Sequence, residues 1–268
     1  MLITSRRNPL VNRLRYLHEA EGRRIHGLIL LEGTHLFQEV LRLGLVPTEI
    51  IATPKWLKHN NDLTKTFSSV RLVTLDVLRA IATTKNPDGI LTVLPIVQLP
   101  IVPRTPNFLL VLDRLQDPGN MGTLMRTALA AGVDSLWLRG GVDPLHPKVL
   151  RASAGAALSL PLERFSSTVE LLQQIKNLSW MQRIATRVQE KYTSQTIKPY
   201  WQLDWSKPTA LFLGNEGSGL DPFLESICTD GVTIPHSYLV DSLNVGVAAA
   251  PLLLERFRQR LTYVKNNL

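Results

Sequence analysis

The sequence predicts an α/β protein in which a small α/β sandwich precedes a larger domain built around a parallel β-sheet. Short apolar runs alternate with helical patterns along the chain, as in packed α/β layers. In the second half these runs are continuous, like strands buried on both faces, and helical crossovers separate them. Proline fixes φ and removes a backbone donor, so a cluster of four marks a boundary: Pro95, Pro100, Pro103 and Pro106. We therefore predict a first domain over residues 1–94, a linker over 95–106 and a second domain over 107–268.

The first domain is predicted to alternate strands with helices. One helix is expected over residues 9–24, because Leu10, Leu14 and Leu17 lie on one face. Further helices are expected where apolar residues recur at helical spacing, and strands where short apolar runs are bounded by polar residues. The predicted helices are 34–43 and 75–83, and the predicted strands are 28–31, 49–52, 71–74 and 90–94.

The second domain repeats this alternation with clearer start signals. Ser167 with Glu170 three residues later is typical of a capping box, which predicts a helix ending near residue 177. Asp221 followed by Pro222 predicts another helix start. The remaining predicted helices are 120–131 and 243–261, and the predicted strands are 108–112, 135–138, 210–213 and 231–235.

Charge indicates a polyanionic partner. The chain of 268 residues has 30 Lys and Arg against 22 Asp and Glu, a net charge of +8. Residues 1–100 carry 13 basic and 8 acidic side chains, so the excess concentrates in the first domain. Basic proteins of this kind often bind nucleic acid. Arginine suits phosphate contacts, and the first 26 residues contain six: Arg6, Arg7, Arg13, Arg15, Arg23 and Arg24.

Several protein classes are excluded or disfavoured. With Cys228 as the single cysteine, a disulfide framework and a cysteine-rich zinc site are impossible. The six histidines form no HExxH or HxxxH pair, so we expect no metal. The N-terminal residues lack the apolar core of a secretory signal, and no run reaches the roughly 18 apolar residues of a membrane span. We expect no membrane partner and a cytoplasmic location.

The first segment with possible chemistry is residues 112–128, where a strand ends, a turn rich in Asp, Pro, Gly and Asn follows, and a helix begins. Ligands of open α/β sheets bind beyond the carboxyl ends of the strands. Asn120 and Arg126 flank the first turns of that helix and could reach the crevice. A helix-capping asparagine and an exposed arginine would explain them equally well.

The second segment, residues 213–220, has three glycines after an apolar strand, which permits close approach of a ligand to the backbone. The pattern lacks GK[ST], which excludes a P-loop nucleotidase, and it is not GxGxxG either. A simple glycine-rich turn is the alternative.

The third segment, residues 234–250, is a polar loop leading into a helix, with Ser242 and Asn244 near the first turn. Ser242 could be an N-cap, and the small residues 246–250 would let a helix or a second subunit approach.

In this order and at this spacing, the three segments resemble the SpoU family of RNA 2′-O-methyltransferases, TrmH-like members of the SPOUT class. The resemblance covers residues 107–262 and includes 151–156, which looks like the family's intermediate motif. Residues 30–33 are similar to the ribosomal-protein-like substrate-binding domain that often precedes it. The departures are small: Asp241 stands where glutamate is usual, and Gly246 where serine is frequent.

The resemblance implies a trefoil-knotted, parallel-sheet methyltransferase domain that binds S-adenosylmethionine and forms a homodimer. The first-motif arginine would lie near the partner's cofactor. The implied catalytic residues are Arg126, Asn120, Glu216, Ser242 and Asn244. The implied cofactor-binding residues are Leu213, Gly214, Asn215, Glu216, Gly217, Ile234, Pro235, Leu243, Asn244 and Val245.

The implied reaction transfers a methyl group to a ribose hydroxyl, and the fused N-terminal domain favours ribosomal RNA over transfer RNA as the substrate. Because arginine is effectively always protonated, we hypothesise that Arg126 binds a phosphate and stabilises the developing alkoxide, and does not act as a base. Ser242 and Asn244 would orient the cofactor or the hydroxyl, and Glu216 would hold the loop or Arg126. The alternatives are a transfer RNA substrate, methylation of a base, and an inactive RNA-binding assembly factor.

Overall fold

The computed structural model describes residues 1–65, 67, 69–187 and 197–266, with side chains as far as residue 262. Contacts divide the chain into two compact units. The first unit consists of Met1–Leu99 and Asp143–Ser159, and the second of Pro100–Val142 and Leu160–Leu268. A segment from the middle of the chain thus belongs to the first unit. The domain boundaries drawn from the sequence stay a prediction.

The described residues form strands and helices in alternation. The strands are β1 (Leu2–Ile3), β2 (Leu28–Glu32), β3 (Glu49–Ala52), β4 (Arg71–Val73), β5 (Ile90–Pro95), β6 (Phe108–Asp113), β7 (Ser135–Arg139), β8 (Leu162–Phe165), β9 (Gln182–Thr186), β10 (Lys198–Pro199), β11 (Thr209–Leu213) and β12 (Asp230–Thr233). The helices are α1 (Pro9–Tyr16), α2 (Ala20–His26), α3 (Thr34–Arg42), α4 (Pro54–His59), α5 (Asn61–Thr64), α6 (Leu75–Ile81), α7 (Pro118–Ala130), α8 (Pro147–Ala152), α9 (Thr168–Lys176), α10 (Pro222–Ser226) and α11 (Val245–Asn266). None of these helices is long and apolar enough to cross a membrane.

The first unit contains a mixed sheet with the strand order β1-β4-β3-β5-β2, in which β5 runs antiparallel to both of its neighbours. Successive residues of a strand point to opposite faces. Ile51 of β3 accordingly joins a core with Leu14 of α1 and Leu78 of α6. Its neighbour Ile50 joins a second core with Phe37 of α3. Helices therefore cover both faces, and the predicted α/β sandwich is confirmed.

The first predicted helix of this sandwich is two helices, α1 and α2, so the prediction of a continuous helix is wrong. The chain turns because Gly22 lies against the carbonyl oxygen of Tyr16, where a Cβ atom would come within 2.0 Å of that oxygen. The break frees the carbonyls of Leu17 and His18, which accept hydrogen bonds from the Arg23 guanidinium at 3.0 and 2.6 Å. Arg23 is consequently buried and is removed from the set of arginines that could face RNA.

Residues 143–159 join the first unit through two ion pairs. Arg23 donates from Nη2 to Asp143 Oδ2 at 2.5 Å. Arg151 donates from Nη1 to Glu32 Oε2 at 3.3 Å. Two sequence features that resembled family motifs separately, residues 30–33 and 151–156, thus meet in the fold.

Glu32 is almost fully buried and is surrounded by donors. The backbone amides of Thr83 and Thr84 and both hydroxyls donate to its carboxylate, in addition to Arg151. Burial alone would raise the pKa of Glu32, but the hydrogen bonds from Thr84 and Thr83 and the charge of Arg151 outweigh it and lower the pKa below its usual range. Glu32 is therefore an ionised, fully partnered carboxylate.

The second unit contains a sheet with the order β10-β12-β9-β11-β6-β7-β8, in which all neighbours are parallel. Every residue of β6 is buried, as expected of a central strand with both faces covered. One face packs Trp137 and Phe212 against Ile175 of α9. The predicted α/β class with a parallel sheet is confirmed, and it is consistent with the predicted knot, which itself stays a prediction.

Most predicted elements lie within one or two residues of the observed ones, but several elements were missed: the strands β1, β8, β9 and β10 and the helices α4, α5 and α8. Glu163 and Arg164 of β8 are exposed at the edge of the sheet, so this strand has no continuous apolar run. β9 begins with the polar Gln182 and Arg183 and contains only a short apolar stretch. Sequence periodicity is weak in both strands, and the neighbouring strands determine their structure.

Candidate active site

A cavity of about 420 Å³ opens in the second unit at the carboxyl ends of β9, β11 and β12, beside the first turns of α7 and α11. This edge of a parallel sheet is where ligands bind, and the volume lies within the usual range of roughly 300–1,000 Å³ for ligand sites. The lining residues are Asn120, Thr186, Arg187, Leu213, Gly214, Asn215, Glu216, Gly219, Leu220, Val232, Thr233, Ile234, His236, Ser242, Leu243, Asn244, Val245, Ala248 and Leu252.

A buried ion-pair network fixes the strand ends beneath the site. Asp113, the last residue of β6, is fully buried and accepts a hydrogen bond from Arg139 Nε at 2.6 Å. Its other oxygen accepts from the backbone amide of Asp221 at 2.9 Å, and Arg139 also pairs with the Asp221 carboxylate at 3.2 Å. The ends of β6 and β7 and the start of α10 are thereby held in one arrangement.

The glycine-rich loop after β11 is closed on itself. Asn215 and Gly219 exchange backbone hydrogen bonds at 2.9 and 3.0 Å. Gly214 is required here, because a Cβ atom would lie 2.3 Å from the carbonyl carbon of Gly219. The Asn215 side chain donates to the carbonyl of Arg114 at 2.8 Å, which links this loop to the loop after β6.

Three side chains from separate loops form one hydrogen-bonded chain at the mouth of the cavity. Asn244 Nδ2 donates to Asn120 Oδ1 at 2.9 Å, and Asn120 Nδ2 donates to Glu216 Oε1 at 3.2 Å. The Glu216 carboxylate also accepts from the backbone amides of Gln116 and Asp117, at 3.3 and 3.4 Å. The structure thus brings together one residue from each of the three sequence segments.

The helix caps differ from the simple alternatives considered for the sequence. Asp117, not Asn120, caps α7 by accepting from the Asn120 amide at 2.7 Å. Asn244, not Ser242, caps α11, because its Oδ1 accepts from the amides of Gly246 and Val247 at 2.9 and 3.3 Å. The side chains of Asn120 and Ser242 are therefore available to face the cavity.

Other predicted site residues divide between the cavity and its surroundings. Of the predicted catalytic set, Arg126 does not line the cavity; it is exposed on α7, and its side chain makes no hydrogen bond or ion pair with any residue that the structure describes. Of the predicted cofactor-binding set, Gly217 and Pro235 are exposed and do not line the cavity. The remaining predicted residues do, and all of these assignments stay predictions.

Sequence reasoning missed several lining residues, of which Thr233 is the most informative. It ends β12, immediately before Ile234, and its hydroxyl is buried without a hydrogen-bond partner among the described residues. Thr186 and Arg187 were missed because β9 was not recognised, and His236 because the third segment was judged by its helix. A sequence signal for Thr233 was available, because this residue directly precedes Ile234, which was predicted to bind the cofactor.

The described residues offer no other obvious reactive centre. Burial raises the pKa of the Cys228 thiol to about 12, so this cysteine is a poor nucleophile. No group of three or more His, Cys, Asp or Glu residues in the described ranges could hold a metal ion. The cavity and its polar rim are therefore the candidate site.

Comparison with known proteins decides the family. Residues 107–254 match the SpoU rRNA Methylase family, and residues 8–92 match the MRM3-like substrate binding domain. This chain belongs to the SpoU rRNA methylase family. The family predicted from the three segments is thus confirmed, and the matched region contains the whole cavity lining.

Relatives of this SpoU family protein extend over nearly its whole length. A Synechocystis protein named an uncharacterized tRNA/rRNA methyltransferase is 42% identical, and the match covers 96% of this chain and 94% of the Synechocystis protein. The 23S rRNA (guanosine(2553)-2′-O)-methyltransferase RlmP of Bacillus subtilis is 31% identical, with coverages of 94% and 97%. The AdoMet-bound rRNA methyltransferase structure from Sinorhizobium meliloti is 27% identical with a TM-score of 0.80, with coverages of 96% and 97%.

Proposed function

We propose that this protein uses S-adenosylmethionine to methylate a ribose 2′-hydroxyl of ribosomal RNA. The observation that carries the proposal is the cavity at the strand ends, with Asn120, Glu216 and Asn244 hydrogen-bonded to one another at its mouth. The similar RlmP is named a 23S rRNA guanosine 2′-O-methyltransferase, and the similar Sinorhizobium meliloti structure is described as bound to AdoMet, which is S-adenosylmethionine.

The cavity fits a cofactor with an aromatic ring system and several polar groups. Its walls combine apolar side chains, such as Leu213 and Leu252, with backbone exposed next to Gly214. The buried hydroxyl of Thr233 has no partner in the described residues, and a buried polar group without a partner is costly unless a ligand or water satisfies it. We assign the holding of the cofactor to the three loops that line this space.

When bound, S-adenosylmethionine supplies a methyl group on a positively charged sulfur, so the leaving group is part of the cofactor. The protein's task is then to place the ribose hydroxyl in line, to stabilise its developing negative charge and to let its proton pass to water while the methyl group leaves the sulfur. In our proposal Ser242 and Asn244 orient the hydroxyl or the cofactor. Glu216 holds the loop after β6, which agrees with the two backbone amides and the Asn120 amide that donate to it.

We propose that Arg126 acts at the cavity of a second copy of the chain. It lies six residues beyond Asn120 on α7, roughly 9 Å further along the helix axis. An exposed guanidinium can bind an RNA phosphate and stabilise an alkoxide in a second copy of the chain, because it stays protonated. This role requires a homodimer.

The exposed side of α11 supports dimerisation through the second unit. Val247, Leu254 and Leu261 are spaced by seven residues, so they share one face of the helix, and they are 61%, 46% and 51% exposed. Leu239, in the loop before α11, is 95% exposed. Exposed apolar side chains grouped on one helix face are typical of an interface with another protein.

We propose that the first unit contributes much of the affinity for RNA. Four of its N-terminal arginines are exposed, and they provide positive charge for phosphate contacts: Arg6, Arg7, Arg15 and Arg24. Exposed Arg6 also forms an ion pair with Asp76 at 3.3 Å, and Arg13 forms one with Glu49 at 2.7 Å. The match to a substrate binding domain over residues 8–92 supports this division of labour. A cytoplasmic location follows from an RNA substrate of this kind and stays part of the proposal.

Methyl transfer to separate RNA pools tests the proposed function. Purified protein is incubated with S-adenosylmethionine labelled in the methyl group and with ribosomal or transfer RNA. We expect label in 23S rRNA, at one mapped nucleotide. Label in transfer RNA alone would favour the alternative that the name of the Synechocystis relative leaves open. RNA binding without transfer would indicate an inactive assembly factor.

A further inference from the structure

The short run that follows β7 fits tightly against the loop after β6. The carbonyl of Arg139 accepts from the Arg114 amide at 2.8 Å, and the Val142 amide donates to the Leu115 carbonyl at 2.8 Å. Between them, Gly141 has a φ of 75° and leaves no room for a Cβ atom, which would lie 2.3 Å from the Leu115 oxygen. The backbone of residues 139–142 therefore cannot move without moving Leu115.

Leu115 in turn belongs to the loop that organises the candidate active site. The next two backbone amides, of Gln116 and Asp117, donate to the Glu216 carboxylate. The preceding carbonyl, of Arg114, accepts from the Asn215 side chain at 2.8 Å. Arg114 itself has a φ of 53°, an uncommon conformation for a residue with a side chain, so its neighbours must hold this turn in place.

Asp143, the residue after Val142, belongs to the first unit and forms an ion pair there. Asp143 Oδ2 accepts from Arg23 Nη2 at 2.5 Å, and its Oδ1 accepts from the Leu145 amide at 3.0 Å. Arg23 is 4% exposed and also holds the carbonyls at the break between α1 and α2. Val142 is thus bonded to Leu115 in the loop after β6. The next residue, Asp143, is bonded to the buried Arg23 of the first unit.

We propose that Asp143 is a positioning residue for methyl transfer. Its ion pair with Arg23 holds residues 139–143. Because these residues contact Leu115, the ion pair also keeps in place the backbone amides of Gln116 and Asp117, which donate to Glu216. This inference rests on the proposed function, because it concerns the rate of that reaction.

The test compares wild type with Asp143→Asn, which removes the charge and changes little in volume. Single-turnover methyl transfer is measured with saturating S-adenosylmethionine and transcribed 23S rRNA, and both dissociation constants are measured separately. We expect the rate to fall about tenfold while both dissociation constants stay within about twofold. The control Asp62→Asn removes an exposed ion pair with Lys65 in the same unit and should leave the rate unchanged.

A second readout does not depend on activity. Hydrogen exchange at the amides of Gln116 and Asp117 should be faster in Asp143→Asn than in wild type, because these amides would be held less firmly against the Glu216 carboxylate. An unchanged rate in Asp143→Asn, or a loss that weaker RNA binding accounts for, would overturn the inference. If that variant does not fold, Asp143→Ser takes its place, because a serine keeps an acceptor for the Leu145 amide and removes the charge; an unchanged rate in that variant would overturn the inference equally.

The two proposals fail in distinguishable ways. If wild type transfers no methyl group to RNA, the proposed function is wrong. If wild type is active and Asp143→Asn is equally active, the function stands and the positioning role is wrong.

Discussion

The buried hydroxyl of Thr233 is the side-chain group that most directly implies a ligand in the cavity. It sits at the end of β12 with 5% of the residue exposed, and no described group satisfies it. Thr186, by contrast, lines the same cavity but donates to the Phe212 carbonyl at 2.9 Å. A polar group of the cofactor would meet the requirement of Thr233.

Replacing Thr233 with valine should weaken cofactor binding with little change in shape. One neutral hydrogen bond contributes about 0.5–1.5 kcal/mol, so the dissociation constant of S-adenosylmethionine should rise roughly three- to tenfold. Isothermal titration calorimetry measures this directly. Ser135→Ala is the matched control, because its hydroxyl is also buried and unpartnered among the described residues but lies outside the cavity lining. Equal affinity in Thr233→Val and wild type would contradict the assignment.

The role of Arg126 can be tested by its pH dependence. In Arg126→Lys, a catalytic base would be the free amine, whose fraction rises about tenfold per pH unit below the ordinary lysine pKa of about 10.4. We expect instead a constant ratio of variant to wild-type rate between about pH 7 and 9, since a phosphate or alkoxide contact needs only the charged form. A ratio that increases with pH in proportion to the free amine would show that our assignment is wrong.

At the scale of elements, Glu32 connects β2 to the segment that contains α8. Its folded pKa is lowered, so ionised Glu32 contributes stability above its unfolded pKa of about 4.5, and the contribution is lost as the pH falls through the folded pKa. Glu32→Gln should therefore reduce the free energy of unfolding at pH 7 by about 1–3 kcal/mol, and the difference should shrink as the pH is lowered through the folded pKa. Urea denaturation at a series of pH values from 7 downward measures this. A difference that does not shrink in acid would contradict the ionised state of Glu32.

Local signals predicted much of the secondary structure. Asp221 with Pro222 and Ser167 with Glu170 mark helix starts that the structure confirms, because capping acts within a single turn. The break between α1 and α2 was missed, since it depends on the contact of Gly22 with the Tyr16 carbonyl. Such contacts are invisible to hydrophobic periodicity.

Residues of the candidate site could be predicted where they belong to a recognisable sequence segment. They could not be predicted where only the folded chain brings them to the site. Asn120, Glu216 and Asn244 belong to three recognisable segments, and the structure bonds them together. Thr186 and the Asp143 anchor come from stretches without a distinctive pattern, so their positions follow from strand pairing and from the ion pair with Arg23.

At the scale of the whole molecule, the proposed homodimer predicts that two inactive variants can restore one another. If Arg126 serves the partner's cavity, coexpressed Arg126→Ala and Asn120→Ala chains form heterodimers with one complete site. Half of the dimers are mixed and half of their sites are intact, so about a quarter of wild-type activity should return. The pair Asn120→Ala and Asn244→Ala is the control, because both residues line the same cavity and no complete site can form. No recovery with the first pair would contradict a shared site.

The chemical nature of the product tests the central claim most directly. RNA methylated by the purified protein with labelled S-adenosylmethionine is hydrolysed in alkali, which cleaves next to every free 2′-hydroxyl. We expect the label in alkali-resistant dinucleotides, since a methylated ribose blocks cleavage at its own position. Label released entirely in mononucleotides would show methylation of a base and would contradict the account.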